Sequence, residues 1–191
     1  VVIMAARARV PERTSSLAVP LLVLTLAAAA AGALTLGAAG GVGAVFPAPV
    51  RAALATTGFA VLLVAALRRS TPWQRDLETP ARWLELGDLR VAVWNGLALG
   101  SGAATRVGFW LWWVLPAFAF ASGSPAFGAL LGGVYGGTRL ALSSALAAVT
   151  LRTGSGDTVQ RILAGRSRFV PISRFAFFVA VGAGLACVVQ M

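Results

Sequence analysis

The chain has no lysine, no histidine, a single cysteine and only six carboxylates among its 191 residues. Each shortage closes off some chemistry. Without histidine the usual general base and the common zinc-ligand sets are missing, so neither metal-assisted nor nucleophilic hydrolysis has a recognisable constellation. No enzyme, metal or cofactor is expected. The lone thiol, Cys187, can form no internal disulfide. Charge is scarce too: 12% of residues are Asp, Glu, Lys or Arg, against about a quarter in soluble domains.

Long runs of Ala, Leu, Val and Gly fill that deficit. The chain is 58% hydrophobic with a mean hydropathy of +0.83, the composition of an integral membrane protein. All sixteen basic residues are arginine, giving a net charge of +10. They cluster in short segments between apolar runs rather than on one soluble face. The positive-inside bias accounts for that placement, and nucleic acid is not an expected partner.

The expected fold is all-α, a polytopic transmembrane bundle of about five spans, with six as the alternative. Residues 1–16 form a polar tail, and 17–191 a single transmembrane domain. The apolar run 17–36 is longer than a signal-peptide core and is read as an uncleaved span. Residues 37–51, rich in Gly and Pro, read as a turn region before a second span over 52–67. Within the basic loop 68–90, Thr79 to Gly87 reads as a short surface helix. The block 91–121 would make a straight helix of about 46 Å, too long for one crossing of the hydrocarbon core. Gly100-Ser101-Gly102 and Pro116 are its natural break points. Spans over 127–150 and 175–189 follow, separated by the basic loop 151–174, with a short helix expected after Asp157.

The arginine-rich segments 1–16, 68–90 and 151–174 are expected on the cytoplasmic side of a bacterial inner membrane. Two crossings between 91 and 150 satisfy that arrangement. Five crossings then place the N-terminus inside.

Two arginines break the apolar pattern. Arg106 sits midway along 91–121, and Arg139 midway along 127–150. All six acids lie in the tail or the basic loops, so no span supplies a counter-charge. A charge at the bilayer centre costs from about 2.5 to over 10 kcal/mol, so it must meet backbone carbonyls freed at a helix break, a water-filled cavity, a lipid headgroup, another subunit or an anionic substrate. A helix broken near Gly100 would place free N–H groups beside Thr105 and Arg106, a good setting for an anion. Asn95, Ser101, Tyr135 and Thr138 could add neutral hydrogen bonds. The candidate ligand-binding set is therefore Arg106, Arg139, Thr105, Asn95 and Tyr135. The plainer alternative has both arginines snorkelling to an interface or capping carbonyls.

Phe109, Trp110, Trp112 and Trp113 read as an aromatic belt at the headgroup level. Glycines at 128, 132, 133, 136 and 137 give small-residue spacings that let helices approach closely.

From Asn95 onward, "GLALGSGAATRVGFWLWWVLP", "SGSPAFGALLGGVYGGTRL", a basic loop and a closing span resemble the second half of CcdA/DsbD-type membrane thiol-electron conduits, within the LysE-like transporter group. The resemblance implies a glycine-rich broken helix and a compact helical scaffold. Those conduits carry a redox cysteine in the broken helix, where this chain has Ala104-Thr105-Arg106-Val107. It therefore implies a scaffold used for something other than thiol chemistry.

The functional expectation is a small permease-like transporter of an anionic or polar solute. A non-catalytic membrane subunit packed on partner helices is the alternative, and a degenerate thiol-redox conduit the remote one. Membrane lipids, with either a second copy or a partner subunit, are the expected partners.

Overall fold

The computed structural model describes residues 18–68, 88–102, 110–153 and 166–189. Among these residues it is all helical. The helices are α1 (Ala18–Val45), α2 (Ala48–Leu67), α3 (Asp88–Gly100), α4 (Leu111–Ser122), α5 (Pro125–Thr153) and α6 (Arg166–Val189). Three stretches among the described residues are long and apolar enough to cross a membrane, Ala18–Val45, Ala48–Leu67 and Pro171–Val189. The protein is a polytopic helical membrane protein. The short helices expected at 79–87 and after Asp157 lie outside the described residues.

Helix α1 is the spine. Its buried positions are mostly small or glycine (Ala28, Ala31, Gly32, Gly40, Gly43), while Leu22, Leu26 and Leu34 point outward. This inverts the pattern of a water-soluble helix. Lipid solvates leucine as well as a protein core does, so close backbone packing has to hold the helices together.

The glycines record the geometry. A Cβ on Gly128 would meet the Leu36 carbonyl, one on Gly132 the Gly32 carbonyl, and one on Gly136 the Ala28 carbonyl. Each four-residue step up α5 is thus a four-residue step down α1, and the two helices run antiparallel. Against α3 the order is reversed: Gly96 abuts Leu24 and Gly100 abuts Ala28. Helix α3 therefore lies parallel to α1. Farther along α1, Gly43 abuts Phe120, so α4 continues in the same direction.

Together α3 and α4 follow one path along α1 with an interruption between them. That is the broken helix expected at 91–121. With 13 and 12 residues, the halves are about 20 and 18 Å long, each too short to cross alone.

The first span ends later than expected. Helix α1 continues to Val45, and only Phe46 and Pro47 separate it from α2. The glycines at 37–43 are contact points rather than turn residues. A Cβ on Gly40 would meet Ser124, and one on Gly37 would lie 3.3 Å from the Ala129 Cβ. The other boundaries shift for a different reason. Helix α5 runs to Thr153, α6 starts at Arg166 and α3 at Asp88, so parts of the expected basic loops are helical. Charge marks where the apolar layer ends, but intrahelical hydrogen bonds persist beyond it.

The turn between α4 and α5 follows from "SGSP". Gly123 takes the left-handed conformation (φ 58°) after the helix end, and its N–H donates to the Phe120 carbonyl. Ser124 caps α5, its Oγ accepting from the Phe127 N–H at 3.2 Å, and Pro125 takes the first helical position.

Helices α2 and α6 pack on α4 and on each other. Their core is Ala55, Phe59 and Leu62 against Val114, Ala121, Phe177 and Val181. The Phe59 ring meets Phe118 edge-on at 5.3 Å and fills the space over Gly184.

Candidate functional site

A helix that stops inside a membrane leaves its last four carbonyls without intrahelical partners, and lipid offers none. In α3 these belong to Leu97, Ala98, Leu99 and Gly100. Three of them are satisfied by visible donors. The Leu97 carbonyl accepts from the Ser101 N–H at 3.1 Å, and the Ala98 carbonyl from Ser101 Oγ at 3.0 Å. The Leu99 carbonyl accepts from Nη1 of Arg139 at 3.1 Å, across from α5.

Arg139 thus meets a carbonyl freed at a helix break. Its cation also sits at the negative end of the α3 dipole. The same Nη1 lies 3.1 Å from the Tyr135 hydroxyl, one turn earlier on α5, and the guanidinium carbon lies 5.9 Å from the centre of the Tyr135 ring. The side chain therefore extends back along α5 toward the break, not toward the helix end at Thr153. Gly100 abuts Ala28, and its carbonyl lies 3.3 Å from where a Cβ on Gly32 would stand, halfway along α1. The site is at mid-bundle.

The chain leaves α3 through Gly102, whose φ of 67° only glycine adopts readily. The Trp112 indole occupies the space that a side chain on Gly102 would need. It is 3% exposed and stacks on Tyr135 with ring centroids 4.5 Å apart. Trp112 is therefore a core residue, not part of an aromatic belt. Its neighbours Trp110 and Trp113 are half-buried and packed against hydrophobic clusters. Phe109 lies outside the described residues.

The candidate set divides as follows. Arg139 and Tyr135 come together at the break. Asn95 is buried (7% exposed) one turn before Leu99 on α3. Thr105 and Arg106, with the half-helix start expected beside them, lie outside the described residues; α4 begins at Leu111. Thr138 is exposed and its hydroxyl donates to the Val134 carbonyl of its own helix at 2.6 Å, so it does not join the cluster. Cys187 is exposed on α6.

Sequence reasoning expected carbonyls freed at the helix break as partners for the arginines but did not single out that of Leu99, and it missed Trp112. Any residue can offer a carbonyl, so nothing in the sequence marks Leu99 as an acceptor. Trp112 could have been found, because a glycine three residues beyond Leu99 makes room for a large ring.

Among the described residues, no group of three His, Cys, Asp or Glu could hold a metal ion. No protein-family model, curated protein or solved structure matches the chain.

Proposed function

We propose that this protein is a small permease-like transporter that handles an anionic or polar solute at the interruption between α3 and α4. The supporting observation is the Arg139 guanidinium, held near the middle of the bundle by a freed carbonyl and a tyrosine hydroxyl. Discontinuous helices whose ends meet near the midplane are how many carriers build their substrate sites. Arg139 and Tyr135, with Asn95 one turn before Leu99, are the described candidates for the site; Thr105 and Arg106, proposed with them, lie outside the described residues. The arginine-rich segments face the cytoplasm, which sets the N-terminus inside a bacterial inner membrane. A chain of this size acts as a homo-oligomer or beside a partner subunit.

The test is uptake into proteoliposomes of inorganic phosphate, sulfate and small carboxylates. At least one should enter, and Arg106→Glu and Arg139→Glu should each abolish its entry while the protein stays folded in the membrane. Full uptake by both variants would refute the assignment of the pair.

One observation favours a second reading, a non-transporting membrane subunit. Only 17% of the α2 span and 22% of the final span are buried, against 33% of α1. Those outer faces suit partner helices as well as lipid. Gentle extraction would then recover a stoichiometric second protein, and a clean homo-oligomer would exclude it.

A further inference from the structure

The carboxyl end of α3 has the parts of a cation site. The Leu99 carbonyl and the Tyr135 hydroxyl converge on one point, each 3.1 Å from Nη1 of Arg139. That point lies at the negative end of the α3 dipole. The Tyr135 ring closes one side, its centre 5.9 Å from the guanidinium carbon, and Trp112 stacks on that ring at 4.5 Å. Freed carbonyls at half-helix ends are where carriers with broken helices coordinate sodium ions or protons. Here the protein's own guanidinium stands at that position.

Charge and shape decide what such a site accepts. Both oxygens are neutral. Helix α5 has no acid, and the one acid of α3, Asp88, is at the opposite end of that helix. A second unit charge about 4 Å from the guanidinium would be disfavoured roughly a thousandfold at an effective dielectric constant near 20. The two oxygens and the ring face match a planar, weakly hydrated guanidinium. They replace too little of a hydration shell to hold an alkali ion.

We propose that Arg139 is a tethered substitute for a mobile cation: it fills a guanidinium-selective site at the end of α3 and keeps sodium and potassium out of the α3–α4 interruption. If the interruption is the transport site, its solute moves without an alkali-metal partner. That consequence rests on the transport reading, whereas the cation site does not. A protein that carries no solute would still bind guanidinium once Arg139 is truncated.

The experiment is thermal unfolding of the full chain in a mild nonionic detergent, followed by tryptophan fluorescence. Arg139→Ala removes the tethered group and leaves its acceptors in place. Free guanidinium at up to about 20 mM is far below the molar range in which it denatures. It should raise the midpoint of this variant by about 4 °C as it saturates the folded form. Urea, its neutral isostere, should not, and adding Tyr135→Phe should weaken the rescue several-fold. The wild type should unfold at the same midpoint in sodium, potassium or choline chloride. Two results overturn the proposal. One is no rescue of Arg139→Ala by guanidinium. The other is a wild-type midpoint raised by sodium or potassium over choline, by an amount that Tyr135→Phe abolishes. The wild-type comparison decides even where Arg139→Ala does not fold.

Discussion

Replacing Arg139 by methionine distinguishes a cation that is merely tolerated in the bundle from one that completes it. Methionine is long, flexible and apolar, so the change keeps most of the packing and deletes the charge. If Arg139 only endured burial, its removal would be neutral or stabilising, because the centre of a membrane penalises arginine by about 2.5–3.5 kcal/mol on insertion scales. The structure points to the opposite sign. Two hydrogen bonds of 3.1 Å are lost, and the Leu99 carbonyl is left without a donor at the end of α3. Side-chain hydrogen bonds between membrane helices average about 0.6 kcal/mol, with a maximum near 1.7. Stranding a buried acceptor costs roughly 1–3 kcal/mol. Helices unfolded in SDS stay in the micelle, so most of that insertion penalty is common to both states. The two lost bonds (about 1.2 kcal/mol together) with the stranded acceptor leave a destabilisation of about 2 kcal/mol, close to a thirtyfold change in the folding equilibrium. Equilibrium unfolding in mixed micelles of rising SDS content, followed by tryptophan fluorescence, reads it directly. Arg139→Lys keeps the charge but not the planar fork, and should recover about half of the loss. A methionine variant as stable as the wild type, or more so, would refute the capping role.

Three further outcomes follow from the packing. Gly132→Ala drives a methyl group into the Gly32 backbone and should cost about 2–3 kcal/mol; Gly58→Ala, with nothing within 4 Å of the new carbon, should be neutral or up to about 1 kcal/mol stabilising, as unfolding titrations would show. Gly102→Ala meets both a positive φ and the Trp112 ring, so it should displace the indole from Tyr135 and change its fluorescence; an unaltered spectrum would remove Gly102 from the break. Phe59→Ala empties the centre of the α2–α4–α6 cluster and should cost about 3 kcal/mol, with α2 becoming protease-sensitive before α1 does.

Much of the fold could be read before any coordinates. The apolar runs placed the helices, and the pairing of a 31-residue block with Gly100-Ser101-Gly102 placed the interruption. Tyr135 and Arg139 were legible as neighbours because they are four apart on one helix. What stayed hidden depended on contacts between helices. Gly40 and Gly43 look like turn residues in a string of letters, and only the proximity of Ser124 and Phe120 shows them to be packing positions. The acceptor for Arg139 lies forty residues earlier and is a backbone atom, to which local sequence patterns are blind. Trp112 was misassigned because tryptophan near a membrane is usually interfacial, and its inward stacking depends on the space left by Gly102. The two-residue link at Phe46-Pro47 suggests that α1 and α2 pair, yet α2 packs on α4 and α6 instead.

The carbonyl cap at the end of α3 also constrains how the chain is made. Helix α3 emerges from the ribosome well before α5, too short to cross and with an open end that lipid cannot serve. Helix α5 then arrives carrying a cation that lipid does not welcome. Neither segment settles well by itself, and each carries the group the other lacks. The expected consequence is joint membrane integration, completed only after Arg139 has been synthesised, and a nascent chain halted ahead of that residue should still have α3 exposed to chaperones at the insertion machinery.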